Sequence, residues 1–398
     1  MNHKLHELLA PAGDYEKAMF ALNFGADAIY IGPKQYSLRA RSSNFNIDEI
    51  FRITEYAHSI NKKVYVVLNI FCHNVHLKNF ADYFKKISDC KVDGVICADP
   101  FIIKKINEIN KNMEIHISTQ QSITNSKAAL FWKRQNASRV VLAREVDYQN
   151  LKLITEELDG KIEIEYFIHG AVCISYSGRC TMSNNFSFRD ANIGGCAHSC
   201  RWEYEIINCP EINDKFTMSP KDMNLSSQIF KLLDLKIHSF KIEGRMKSIH
   251  YVATIVSAYK KLIDEYLLNN KIDCNLFDEI QKSENRKTDL AFFDNKPSFK
   301  KMLYFDDEKK TNQNFVFIVK EKITDGEYKI ILKNVLKTHE LVESISYQGK
   351  NHKFIINEII EGESVIKVAF KPMFEYIIKI DKDIVLNPLD IVRKINDN

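Results

Sequence analysis

A chain of 398 residues is long enough for two or three domains. Lys plus Arg number 56 against 52 Asp plus Glu, a formal charge of +4, which excludes a uniformly basic nucleic-acid-binding tail but leaves room for a local basic groove. A hydrophobic content of 45% excludes global disorder, and without an apolar run of about 18 residues no transmembrane helix or membrane partner is expected.

Met1-Asn2-His3-Lys4 carries no signal-peptide core, so the expectation is a cytoplasmic protein with reduced thiols. Over the first 250 residues short apolar runs alternate with amphipathic stretches. Strands are predicted at 6–9, 28–31, 63–69, 94–98, 114–118, 139–142, 163–168 and 239–243. Continuous apolar runs suit parallel strands covered on both faces. Helical patterns fall between them at 14–24, 77–88, 100–109 and 147–158, with Asp14 and Asp147 placed as N-caps. A last helix at 248–268 carries an apolar stripe. Eight such units over residues 1–270 predict a TIM-type (β/α)8 barrel, with a doubly wound sheet as the alternative. Residues 271–314 read as a charged linker with some helix. From 315 to 398 the pattern changes to short alternating strands (315–320, 327–332, 353–359, 365–369, 376–380), predicting a small β-barrel accessory domain.

In a barrel of this kind the site lies on the C-terminal rim of the strands. The connection after the seventh strand is long, and long loops in compact domains are usually functional. It holds Cys173, Cys180, Cys196 and Cys200, spaced Cys-x6-Cys-x15-Cys-x3-Cys, and four of the thirteen glycines. Four thiolates in a reducing compartment can hold a tetrahedral zinc or a [4Fe–4S] cluster. The wide first gap is unlike a zinc knuckle, and Glu203 stands where a radical-type Cys-x3-Cys-x2-Cys run needs its third cysteine. Spacing alone leaves iron–sulfur, zinc and plain buried thiols open, with Cys209 as a substitute ligand.

Along strand eight, period-two alternation puts Phe240 and Ile242 on one face and Lys241 and Glu243 on the other, pointing into the barrel. Either they form an internal ion pair or they serve a substrate at the rim. Arg245 follows at the mouth. Arg179 can clamp a carboxylate or phosphate bidentately. His169, ending strand seven, is a candidate acid or base. Gln120 and Arg144 end strands five and six on the same rim. Glu7 is a further candidate inward carboxylate, and Arg39 and Arg41, after strand two, are candidate phosphate contacts or solvated residues.

His169-Gly170-Ala171-Val172-Cys173, Tyr176-Ser177-Gly178-Arg179-Cys180 and Gly195-Cys196…Cys200-Arg201-Trp202 resemble the signature of the collagenase-like peptidase family, of peptidase U32 type. Leu8-Leu9-Ala10-Pro11-Ala12-Gly13, Ser118-Thr119-Gln120, Ser219-Pro220-Lys221-Asp222-Met223 and Lys241-Ile242-Glu243-Gly244-Arg245 match its other landmarks. Within the family the chain most resembles the branch that converts wobble uridine of tRNA to 5-hydroxyuridine. That resemblance implies a [4Fe–4S] cluster on the four cysteines and a dependence on prephenate. Arg179, Arg245, Gln120 and Arg144 would then bind a small carboxylic acid or tRNA phosphate, and His169, Lys241 and Glu243 would be catalytic. Sister branches hydroxylate a cytidine of ribosomal RNA or a ubiquinone precursor, and some relatives work in pairs, leaving room for a paralogous protein partner. Met182 departs from the family's usual leucine. The peptidase alternative lacks both a His-Glu-x2-His motif and a Gly-x-Ser-x-Gly elbow. A Cys173/His169 dyad would compete with the cluster for the same thiolate.

Overall fold

A computed structural model describes residues 6–40, 42–207, 215–283, 286–295 and 315–395, with positions 298 and 303. Arg41 and Cys209 lie outside the described residues, as does much of the 271–314 segment.

The eight expected strands are present as β1 (Glu7–Ala12), β2 (Ala28–Ile31), β3 (Lys63–Leu68), β4 (Gly94–Cys97), β5 (Glu114–Ile117), β6 (Arg139–Val141), β7 (Glu163–Gly170) and, after an intervening short strand β8 (Asp222–Asn224), β9 (Ser239–Ile242). Each pairs in parallel with its successor, β7 passes over β8 to pair with β9, and β9 returns to β1. The ring is therefore closed, which removes every edge and excludes the doubly wound alternative. Helices cover the outside, started where the sequence offers side-chain caps: Asp14, Asn46, Asp99, Asn125 and Asp147 each accept a first-turn backbone N–H. The closing helix Ile249–Asn269 starts on Ser248 and buries Val252, Val256, Tyr259 and Ile263 against the strands. Leu9, Ala28, Tyr30, Tyr65, Val67 and Ile96 form a separate apolar plug inside the ring.

Strand β8 was not anticipated. It lies within the long loop and runs antiparallel to the end of β7, opposite His169 and Gly170. Thr288–Asp289 pairs beside it in parallel.

The C-terminal unit is a curled antiparallel sheet of eight strands. Its first strand, Phe315–Thr324, sits between Glu327–Leu332 and Ile391–Lys394. The strands at Leu341–Ile345 and Ile391–Lys394 were not expected from sequence. The unit is seated on the barrel. Ile318, Ile345 and Ile391 join the main core cluster, Phe315 stacks on His250 with centroids 5.6 Å apart, and buried Arg393 reaches Glu279 at 2.7 Å and Glu343 at 2.6 Å. Glu279 belongs to Asn275–Gln281, the helix found within the expected linker. Among the described residues no helix is long and apolar enough to cross a membrane.

Candidate active site

Alternation along the strands carries charge into the barrel as well as apolar bulk. Arg139, the first residue of β6, is almost wholly buried and faces three carboxylates: Glu7 at 2.7 Å, Glu163 at 2.7 Å and Glu165 at 3.3 Å. Tyr65 and Ser239 donate their hydroxyls to Glu7 at 2.7 and 2.8 Å. Lys241 donates to Glu165 at 2.6 Å. Burial alone would raise the pKa of Glu165, but Lys241 and Arg139 more than offset it and hold the carboxyl below its usual range. Lys241 thus points inward as expected, and its ion-pair partner is Glu165 rather than Glu243. Its ammonium also lies 4.5 Å from the Tyr30 ring centroid and 5.5 Å from that of Phe167.

Above this tier the barrel opens into a cavity of about 170 Å³, many times the roughly 10–15 Å³ that one water needs. Arg39, Arg144, Arg201, Lys241 and Arg245 line it, and Glu243 is the one carboxylate among the described lining residues. Arg39 and Arg144 grip Glu243 from two sides at 3.2 and 3.3 Å. Burial would raise the pKa of Glu243, yet the surrounding Arg39, Arg144, Arg245 and Lys241 hold it below the ordinary value. Arg144 is fixed further by lying 3.8 Å over the Phe167 ring. Burial pulls Arg245 down to about 10. Its Nη2 donates to Ser37 at 2.8 Å, while the buried Nη1 has no hydrogen-bond partner. Gly32 leaves the room for it, since a Cβ there would lie 1.5 Å from Nη1. Gln120 is buried in the same wall, and its Oε1 is likewise unpartnered. The cavity therefore offers its arginines and lysine to an anion and the Gln120 oxygen to an N–H or O–H donor.

The long loop folds over this mouth. Asn192 donates to the Cys180 carbonyl at 3.1 Å, Thr217 to that of Cys200 at 3.1 Å, and Ser177, in the left-handed region at φ +46°, is pinned through its backbone N–H to Glu145 at 2.6 Å. Cys173, Cys180, Cys196 and Cys200 all line the cavity, all are half-buried and none is bridged. Burial pushes the Cys200 thiol up to about 11. The Cys173, Cys196 and Cys180 sulfurs add to that rise and Arg201 opposes it. Among the described residues no three thiols, imidazoles or carboxylates converge closely enough to enclose a metal ion as they stand. In number, kind and placement around one cavity, however, the four thiols fit a thiolate-held metal or iron–sulfur centre.

Nine of the eleven expected site residues therefore meet here: the four cysteines, Glu243, Arg144, Arg245, Gln120 and Lys241. Two do not. Arg179 lies outside the cavity, donating to the Gln120 carbonyl at 2.7 Å and to Gln121 at 3.2 Å beside the Phe71 ring. His169 is turned away by an irregularity in β7: Phe167 pairs with Lys241, but His169 and not Ile168 pairs with the next residue, Ile242. The extra residue reverses the side-chain parity, and His169 ends among Tyr251 and Tyr259 of the closing helix. Sequence reasoning missed Arg139, Glu163, Glu165 and the lining role of Arg201.

Burial drives the His169 pKa down to about 3. The folded state therefore keeps this ring neutral where an unfolded chain protonates it, below about pH 6.5. Its contribution is nil above that pH and turns against the fold as pH falls toward 3, by roughly 1.4 kcal/mol per unit. Urea midpoints followed from pH 6.5 to 4.5 are expected to fall less steeply in His169→Gln than in the parent, by about one proton's worth of slope. Parallel curves would contradict the assignment.

The family model described as Peptidase family U32 matches residues 13–303. The chain is 46% identical over 313 residues to tRNA hydroxylation protein P1 of Bacillus subtilis (strain 168), covering 76% of this chain and 74% of that protein. It is 33% identical over 332 residues to tRNA hydroxylation protein P of Haemophilus influenzae, covering 70% and 72%. It is 34% identical over 267 residues to 23S rRNA 5-hydroxycytidine C2501 synthase of Escherichia coli (strain K12), covering 66% of this chain and 40% of that protein.

Proposed function

The chain belongs to the peptidase U32 family, and from that membership and its cationic, thiol-rimmed cavity we propose that it is an RNA hydroxylase that forms 5-hydroxyuridine at the wobble position of tRNA. Relatives named for hydroxylation of tRNA and of ribosomal RNA support an RNA base as substrate. The observation that carries the reading is the meeting of four unbridged thiols and an anion-receptive barrel mouth in one cavity.

Cys173, Cys180, Cys196 and Cys200 would hold a [4Fe–4S] cluster, with zinc as the alternative occupant. Such a cluster, when bound, supplies the redox chemistry that no side chain here offers. The remaining roles fall to the chain itself. Arg245 and Arg144 bind the carboxylates of a small acid of the prephenate type or an RNA phosphate. Glu243 holds Arg39 and Arg144 in place by its two oxygens. Gln120 offers its unpartnered Oε1 to an N–H of the base edge. A base that reaches this depth has to leave its stack, and the loop over the mouth keeps water from it.

The test is nucleoside mass spectrometry of tRNA from cells lacking the gene. 5-Hydroxyuridine and its derivatives are expected to vanish, and to return with the intact gene but not with Cys173→Ala. Loss of a hydroxylated ribosomal nucleoside instead would move the activity to that RNA. If both RNAs are unchanged after paralogues are deleted, peptide substrates become the ones to assay. In vitro, tRNA affinity is expected to fall steeply between 50 and 200 mM salt, because phosphate contacts release counterions.

A further inference from the structure

The loop that carries the cysteines breaks two local rules at one residue. Phe188 ends the short helix Met182–Ser187 in the left-handed region, at φ +53°, a C-terminal position that normally takes glycine. The residue is also 96% exposed. A bulky apolar side chain held in strained backbone and offered wholly to solvent has no packing reason to be there, and such conflicts concentrate at functional sites.

Phe188 has company. Trp202 is 42% exposed and Phe186 52% exposed. Phe186 lies edge-on to Trp202 with centroids 6.4 Å apart and to Tyr204 at 5.8 Å, so the Trp202 ring is braced from one side. The segments that carry these rings border the cavity: Met182 and Ser183, where the helix begins, line it, and so does Arg201, the residue before Trp202. The surface thus sets exposed rings beside a pit whose charged lining, among the described residues, is cationic but for Glu243. The partner that matches has planar apolar faces joined by a negatively charged backbone. That is single-stranded nucleic acid, in which each unstacked base presents a π-face and each linkage a phosphate.

We propose that Phe188 and Trp202 form a base-stacking platform. It would receive nucleotides flanking the one that enters the cavity, in a single-stranded RNA loop. The proposal rests on the RNA reading above and adds where, and through which chemistry, the loop is held. The platform selects unstacked over paired RNA without reading sequence, because stacking tolerates any base.

The chain has two tryptophans, and Trp132 is buried, so Trp132→Phe leaves Trp202 as the only indole. Titrating this variant with an anticodon stem-loop RNA is expected to quench its fluorescence. The same stem closed by an abasic loop is expected not to. With labelled RNA and an otherwise unaltered chain, Phe188→Ala is expected to weaken binding roughly five- to hundredfold, and Phe188→Tyr to retain it. If the stem-loop binds without quenching Trp202, and Phe188→Ala binds it as tightly as the parent, the platform is refuted while the RNA reading survives. If no RNA binds, and a gelatin peptide quenches Trp202 instead, both fail. A concentration-dependent doubling of mass that Phe188→Ala abolishes would assign the rim to a second copy of the chain and overturn the proposal.

Discussion

Replacing Arg139 with Met is expected to destabilise the fold by roughly 3–5 kcal/mol, the usual penalty for removing one partner of a buried charge network. The guanidinium faces Glu7, Glu163 and Glu165, and Glu165 has no exposed surface at all. Once Arg139 is gone, Lys241 is the only cation among the described residues left in contact with Glu165. Methionine fills the volume but leaves dry Glu165 with Lys241 as its counter-charge and takes from Glu7 the guanidinium that neutralises it. Urea unfolding at pH 7, followed by circular dichroism, measures the loss. Adding Glu165→Gln to the same chain is expected to restore part of it, because the two positions share one network. The deficit also depends on pH with a definite sign. In the parent, the depressed pKa of Glu165 contributes stability above its unfolded value of about 4.3, and that contribution is lost as pH falls through the folded value. In Arg139→Met the carboxyl can take up a proton more readily, so the gap between variant and parent narrows toward pH 4. A deficit below 1 kcal/mol at pH 7 would mean that water reaches these carboxylates.

The same network shows what the sequence makes legible. Period-two alternation correctly turned Lys241 and Glu243 inward, because β9 is regular and hydrogen-bonded on both sides. Applied to β7, that alternation also turns Glu163 and Glu165 inward, and here it needed only to be extended. It fails at His169, where one extra residue in the pairing inverts the face. No residue type near Ile168 announces that irregularity, so a histidine beside the cysteine motif reads as a catalytic group when it is packed behind the strand. The cysteines were legible by clustering alone. Arg201 was not, since a loop without periodicity gives no rule for which way a side chain points. Ile391–Lys394 was missed for a related reason: its four residues end in Arg393-Lys394, and it is held as a strand by neighbours distant in sequence.

Under the proposed function, Glu243→Gln is expected to lower 5-hydroxyuridine formation roughly 10²–10³-fold, the range seen when one pre-organised electrostatic contact is removed from an active site. The substitution keeps shape and removes charge. In the parent, the two carboxylate oxygens hold Arg39 and Arg144, and the backbone carbonyl accepts the Tyr251 hydroxyl at 2.9 Å. An amide can accept from one of those arginines but places an NH₂ against the other. Arg39, Arg144, Arg245 and Lys241 would then face one another with no anion between them. Two consequences separate a positioning role from a merely structural one. Affinity for a small dicarboxylate is expected to rise or hold, because the cavity gains a positive charge, while turnover falls. The loss should therefore sit in kcat and not in KM. The fold should tolerate the change, since Glu243 lies at the mouth and the Arg139 network beneath it is untouched. Thermal midpoint and, for the proposed cluster and substrate, iron and sulfide content and tRNA affinity measured on the same preparation control for collapse of the site. Full activity in Glu243→Gln would reduce this carboxylate to a counter-ion. A loss confined to KM would instead make it a contact to the substrate itself.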